Sequence, residues 1–68
     1  MHYTIELERE TDGRWIANVI DIPGVLTYGN TREEAIAKAQ ALALRVEADR
    51  LEHGERPTFE TGIFFNAA

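Results

Sequence analysis

Two aspartates, two histidines and one tryptophan are the residues of this chain whose chemistry would attract notice first. Asp12 and Asp21 each stand close before a glycine, Gly13 and Gly24, with Trp15 between them. A pair of carboxylates could hold divalent cations. Aspartate before glycine is also turn chemistry, because the short side chain bonds the backbone two residues on. The turn reading accounts for both positions, and no further acidic residue falls where a strand would bring it to them. His2 and His53 lie near opposite ends of the chain with no ligand partners nearby in sequence. Trp15 has a single basic neighbour, Arg14, whereas a platform for stacking nucleic acid bases wants a basic groove around it. It is expected in the core. No phosphate-cradling glycine loop, nucleophile elbow or cysteine–histidine cluster occurs, and there is no cysteine at all. The expectation is therefore no catalytic residue, no metal site and no cofactor.

The elements that would carry these residues can be read in order. Tyr3, Ile5 and Leu7 alternate with His2, Thr4, Glu6 and Glu8, the period of a strand with one apolar face. Thr11-Asp12-Gly13 turns the chain into a hairpin. The second strand, Trp15 to Ile20, is apolar on both sides: Trp15, Ala17 and Val19 on one, Ile16 and Ile20 flanking Asn18 on the other. A strand apolar on both faces is usually covered on both. Asp21-Ile22-Pro23-Gly24 breaks it, with glycine placed for the positive φ of a type II turn. Val25 to Tyr28 forms a short third strand ending at Gly29.

Thr31-Arg32-Glu33-Glu34 fits a capping box, with Asn30 as a competing cap. The alanine- and leucine-rich run to His53 is a helix of about 33 Å at roughly 1.5 Å per residue. Its core stripe is expected at Ala35, Ile36, Ala39, Leu42, Ala43 and Val46, with Lys38, Arg45, Glu47, Asp49 and Glu52 toward solvent. Gly54 and Pro57 end it. Thr58 to Phe65 closes the chain as an apolar edge strand, with Phe64 on the face opposite Phe65. The fold class is α+β, one domain over residues 1–68, in the order β-β-β-α-β: an antiparallel three- to four-stranded sheet with one long helix on one face.

Size and charge bound the partners. A chain of 68 residues buries only about 60% of the surface its unfolded form exposes, so a monomer is marginal. Without disulfides, oligomerisation is the remaining staple. A homo-oligomer, dimer or tetramer, is expected, with Ile16, Ile20 and Phe64 on the face that meets another subunit. The net charge is −5, from twelve acidic and seven basic residues. That field opposes direct nucleic acid binding and suits a basic protein partner. No apolar run is long enough to cross a membrane and the N-terminus lacks the features of a secretory signal, so a cytoplasmic location is expected.

The ordered set Asp12-Gly13, Trp15, Ala17, Val19, Asp21-Ile22-Pro23-Gly24, Gly29-Asn30-Thr31 and Glu33-Glu34-Ala35 resembles the HicB antitoxins and their stand-alone HicB-like relatives. The match spans residues 3 to about 50. Ile20 stands where the family often has proline, and Val25 where it often has cysteine. The resemblance implies a partial ribonuclease-H-like fold and a protein that binds and neutralises a small basic mRNA-cleaving toxin of the HicA type. It makes the Asp21-Ile22-Pro23-Gly24 turn a candidate partner contact. Many HicB antitoxins continue into a DNA-binding domain. This chain ends at Ala68, so operator binding by such a domain is not expected. The alternatives are an oligomeric scaffold without a toxin and a small metal-dependent nuclease suggested by fold analogy alone.

Overall fold

The computed structural model describes residues 2–54 and 64–67. The elements follow the expected order: β1 His2–Arg9, β2 Trp15–Val19, β3 Leu26–Gly29, α1 Arg32–Glu52 and β4 Phe64–Ala67. They build one four-stranded sheet in the order β3-β2-β1-β4, with α1 on one face. Of the expected last strand, residues 58–63 lie outside the described residues.

β1 and β2 pair antiparallel with Leu7 opposite Ala17, and β2 and β3 pair antiparallel with Ala17 opposite Thr27. The strand pattern predicted an antiparallel sheet, but the observed sheet is mixed. β4 pairs parallel to β1, with Tyr3 opposite Phe65. The cause is the helix. It carries the chain back across the sheet, so the next strand enters at the end where β3 began, and parallel strands require a crossover of this kind.

Local chemistry fixes each junction. Gly13 N donates to Glu10 O at 3.0 Å and Glu10 N to Arg14 O at 2.7 Å, closing a three-residue hairpin loop with Gly13 at φ 94°. Val25 N donates to Ile22 O at 3.3 Å around Pro23 and Gly24, the latter at φ 85°, as the type II turn requires. Thr31 is the helix cap: its hydroxyl accepts from Glu34 N at 3.0 Å. The reciprocal bond differs from the expected capping box. The Glu34 carboxylate reaches past Thr31 to the amide of Asn30, at 3.3 Å.

The core lies between α1 and the near face of the sheet. Tyr3 and Ile5 of β1, Ala17 and Val19 of β2, and Ile22 and Val25 of the Pro-Gly turn are buried there. Ala35, Ala39 and Ala43 face them from the helix, with Ile36, Leu42 and Val46 packed at the margins. The expected stripe is thus the observed one, with a correction. Glu47, placed toward solvent by its charge, continues the four-residue row of Ala35, Ala39 and Ala43 and is only 3% exposed. Its carboxylate accepts from Arg50 Nη1 at 2.9 Å, which offsets the cost of placing a charge there.

The tightest approach is at Gly29. A Cβ built there would lie 2.5 Å from the backbone nitrogen of Ala35. Next to it, the Thr27 hydroxyl donates to Ala35 O at 2.9 Å, tying β3 to the first helical turn. Replacing Gly29 by alanine is expected to destabilise the fold by about 2–3 kcal/mol, since only backbone can give way. Urea unfolding checks this, and an unchanged midpoint would contradict the close contact.

Candidate functional site

Asp12 and Asp21 stand at opposite ends of β2. Asp12 lies in the β1–β2 hairpin before the strand, and Asp21 lies just after it. Each carboxylate holds a backbone amide. Asp12 Oδ1 accepts from Arg14 N at 3.1 Å, and its Oδ2 pairs with Arg14 Nε at 2.9 Å. Asp21 Oδ2 accepts from Thr4 N at 2.7 Å. There it continues the β1–β2 ladder past its last backbone bond, Ile20 N to Thr4 O at 3.2 Å. Two carboxylates separated by the length of a strand cannot share an ion. Among the described residues no group of histidines and carboxylates is disposed to hold a metal.

The histidines are likewise apart. His2 stacks on Phe64 with centroids 4.9 Å apart. His53 follows the last helical turn, where Nδ1 lies 2.7 Å from Asp49 O and 3.3 Å from its carboxylate. Trp15 packs against the core, with the Arg9 guanidinium 5.8 Å from its ring centroid. In the signature turn, Ile22 is buried in the core, while Pro23 and Gly24 are exposed.

The face of the sheet away from α1 is the prominent surface. Ile16, Ile20 and Phe64 all lie on it, with Leu26 and Tyr28, two residues that sequence reasoning did not add to the set. Ile20 and Phe64 are 51% exposed, Leu26 45% and Tyr28 43%. The signal was available: Leu26 and Tyr28 alternate with Thr27 in the short β3, and register with β2 places them beside Asn18 and Ile16. Glu6 and Glu8 of β1 occupy the next positions in the same rows. Glu6, Glu8, Ile16, Asn18 and Leu26 border a shallow groove on this face. At its end the Arg14 guanidinium sits 4.9 Å from the centroid of the Tyr28 ring. An antiparallel sheet with one free face ordinarily makes that face polar. Here it is a band of large apolar groups on β2 and β3 beside an acidic stripe on β1.

Two carboxyls are held below the usual carboxylate range. For Asp12 the main cause is the Arg14 amide, with the guanidinium adding to it. For Glu34 it is the Lys38 ammonium at 3.2 Å, followed by the Asn30 amide.

Among known proteins, the chain is 33% identical over 57 residues to a UPF0150 protein of Thermoplasma acidophilum, an alignment covering 82% of this chain and 81% of that protein. No family model matches the chain, and no solved structure matches it. Among the described residues, no helix is long and apolar enough to cross a membrane.

Two outcomes follow from these bonds. Asp21→Ala leaves the Thr4 amide without its acceptor and should cost about 1 kcal/mol, with Asp21→Asn milder because its side-chain oxygen still accepts. Equal losses in urea unfolding would contradict the bond. Asp12 and Glu34 are more acidic folded than unfolded. Their contribution to stability is therefore present above the unfolded pKa values and drains as pH falls through the folded ones. The combined Asp12→Asn, Glu34→Gln variant should lose less stability than the parent between about pH 6 and about pH 3. Identical pH profiles would contradict the assignment.

Proposed function

The chain belongs to the UPF0150 family, and on that premise we propose that it works as an interaction protein, a HicB-like antitoxin that binds and neutralises a small basic mRNA-cleaving toxin of the HicA type. The observation that carries this reading over a nuclease is the placement of Asp12 and Asp21. They are the carboxylates that a ribonuclease-H-like centre would draw on, and they hold separate backbone amides at opposite ends of β2. Asp12 closes its own turn, and Asp21 extends the β1–β2 ladder. The run of residues that resembles HicB is thus a scaffold signature, and the working parts of such a protein are its surfaces.

Charge supports the class of partner. The net charge is −5, and the exposed Glu6, Glu8, Glu33 and Glu52 carry no ion pair among the described residues. A basic protein meets complementary potential, which speeds encounter and selects against acidic competitors. A scaffold without a toxin is the second reading, favoured by the apolar band on the open sheet face.

Co-expression with a HicA-type protein encoded beside it decides between them. The expected result is rescue of growth together with co-purification of the two chains. Neither rescue nor binding would overturn the antitoxin reading. RNA cleavage by the isolated chain with magnesium, abolished in an Asp12→Ala, Asp21→Ala variant that remains folded, would restore the nuclease reading.

A further inference from the structure

We propose that the part of the open sheet face formed by Glu6, Glu8, Ile16, Asn18 and Leu26 seats the basic partner and takes two lysine or arginine side chains from it. This rests on the reading of the chain as an interaction protein, and adds where the partner sits and what it brings.

Strand register sets the pattern. Tyr28, Ile16 and Glu8 form one row across the sheet, and Leu26, Asn18 and Glu6 form the next. Both rows run from a large exposed apolar group on β3 to an exposed carboxylate on β1. The two ends are about 10 Å apart, at roughly 4.8 Å from strand to strand. A lysine or arginine side chain has the same division, since its apolar stem lies along apolar surface while its charged head reaches a polar group. Laid along a row, the stem covers Leu26 or Ile16 and the head meets Glu6 or Glu8. These residues border the shallow groove of this face. The Arg14 guanidinium, 4.9 Å from the centroid of Tyr28, keeps the β3 end of the first row positive, so an incoming head is directed toward β1.

The two rows are about 7 Å apart along the strands, the spacing of alternate residues in an extended segment. A partner strand with a basic residue at every second position therefore matches both carboxylates at once. Glu6 and Glu8 carry no ion pair among the described residues, so both are open to such a partner. A second copy brings little to them. The described residues of this face that carry or can gain positive charge are Arg14, whose Nε already pairs with Asp12, and His2, stacked on Phe64. Ile20, beside Thr4, and Phe64, beside His2, lie in the rows beyond and take no part.

Titration calorimetry with the HicA-type protein encoded beside this chain tests the placement. The Glu6→Gln, Glu8→Gln variant should bind about tenfold more weakly than the parent, since it loses two ion pairs. The Glu33→Gln, Glu52→Gln variant has the same net charge with the changes on α1, and should stay within about twofold, because charge away from the contact is screened. Leu26→Ser should weaken binding as well, by removing the surface for a stem. Circular dichroism checks that all three stay folded. Equal losses in the two double variants would overturn the proposal, leaving only the general field of the chain. So would full affinity in the Glu6→Gln, Glu8→Gln variant, which places the partner elsewhere and leaves the antitoxin reading intact. A parent chain that does not bind at all would sink both.

Discussion

The fold depends on how closely one helix can lie on one sheet. Gly29 ends β3 against the first turn of α1, with no room for a single added carbon. Ala35, Ala39 and Ala43 continue that narrow seam, fully buried, one helical turn apart. Because the helix contributes methyl groups, the volume of the core has to come from the sheet side. Tyr3, Ile5, Val19 and Val25 supply it. Small against large is how two layers interdigitate without voids. Thr27 and Thr31 tie the same corner by side-chain hydrogen bonds, one to the carbonyl of Ala35 and one from the amide of Glu34. The start of the helix is thereby fixed in position as well as in distance.

Most of this could be read from the residues, and the exceptions share a cause. Turns and caps are local: Asp12-Gly13, Pro23-Gly24 and Thr31 act on atoms within four residues, so residue type alone identifies them. Strand faces follow from alternation, which placed Ile16, Ile20 and Phe64 together. What was missed is set at long range. The direction of β4 follows from where the helix delivers the chain, and no residue in Phe64–Ala67 encodes it. The burial of Glu47 follows from its place in a row of alanines, against the preference of its charge. The bond from Thr4 to Asp21 joins residues seventeen apart in sequence, and only the paired strands bring them together. Leu26 and Tyr28 were assigned to a strand, yet their exposure depends on the helix covering the other side.

The two aspartates illustrate how a signature can describe architecture. Asp12 and Asp21 are the most chemistry-like residues of the chain, and each ends as an acceptor for a main-chain amide. Asp21 does for β1 what a further residue of β2 would have done, supplying the ladder with one more acceptor after the chain has already turned away. That frees Ile22 to drop into the core from within the turn, where it packs with Val19 and Val25. A segment that serves the ladder, the turn and the core at once tolerates few substitutions, whatever it binds.

The strand order has a temporal side. β1 precedes the other described elements in the chain, yet it lies inside the sheet, between β2 and β4. As the chain leaves the ribosome, β1, β2 and β3 can zip together through short turns, and the helix can settle on them. The second edge of β1 stays open until residues 64–67 have been synthesised, since among the described residues these are the ones that pair there. Sequence-distant pairing of this kind is slow to form compared with hairpins. The nascent chain thus passes through an interval in which the edge of β1 from His2 to Ile5 waits for residues 64–67.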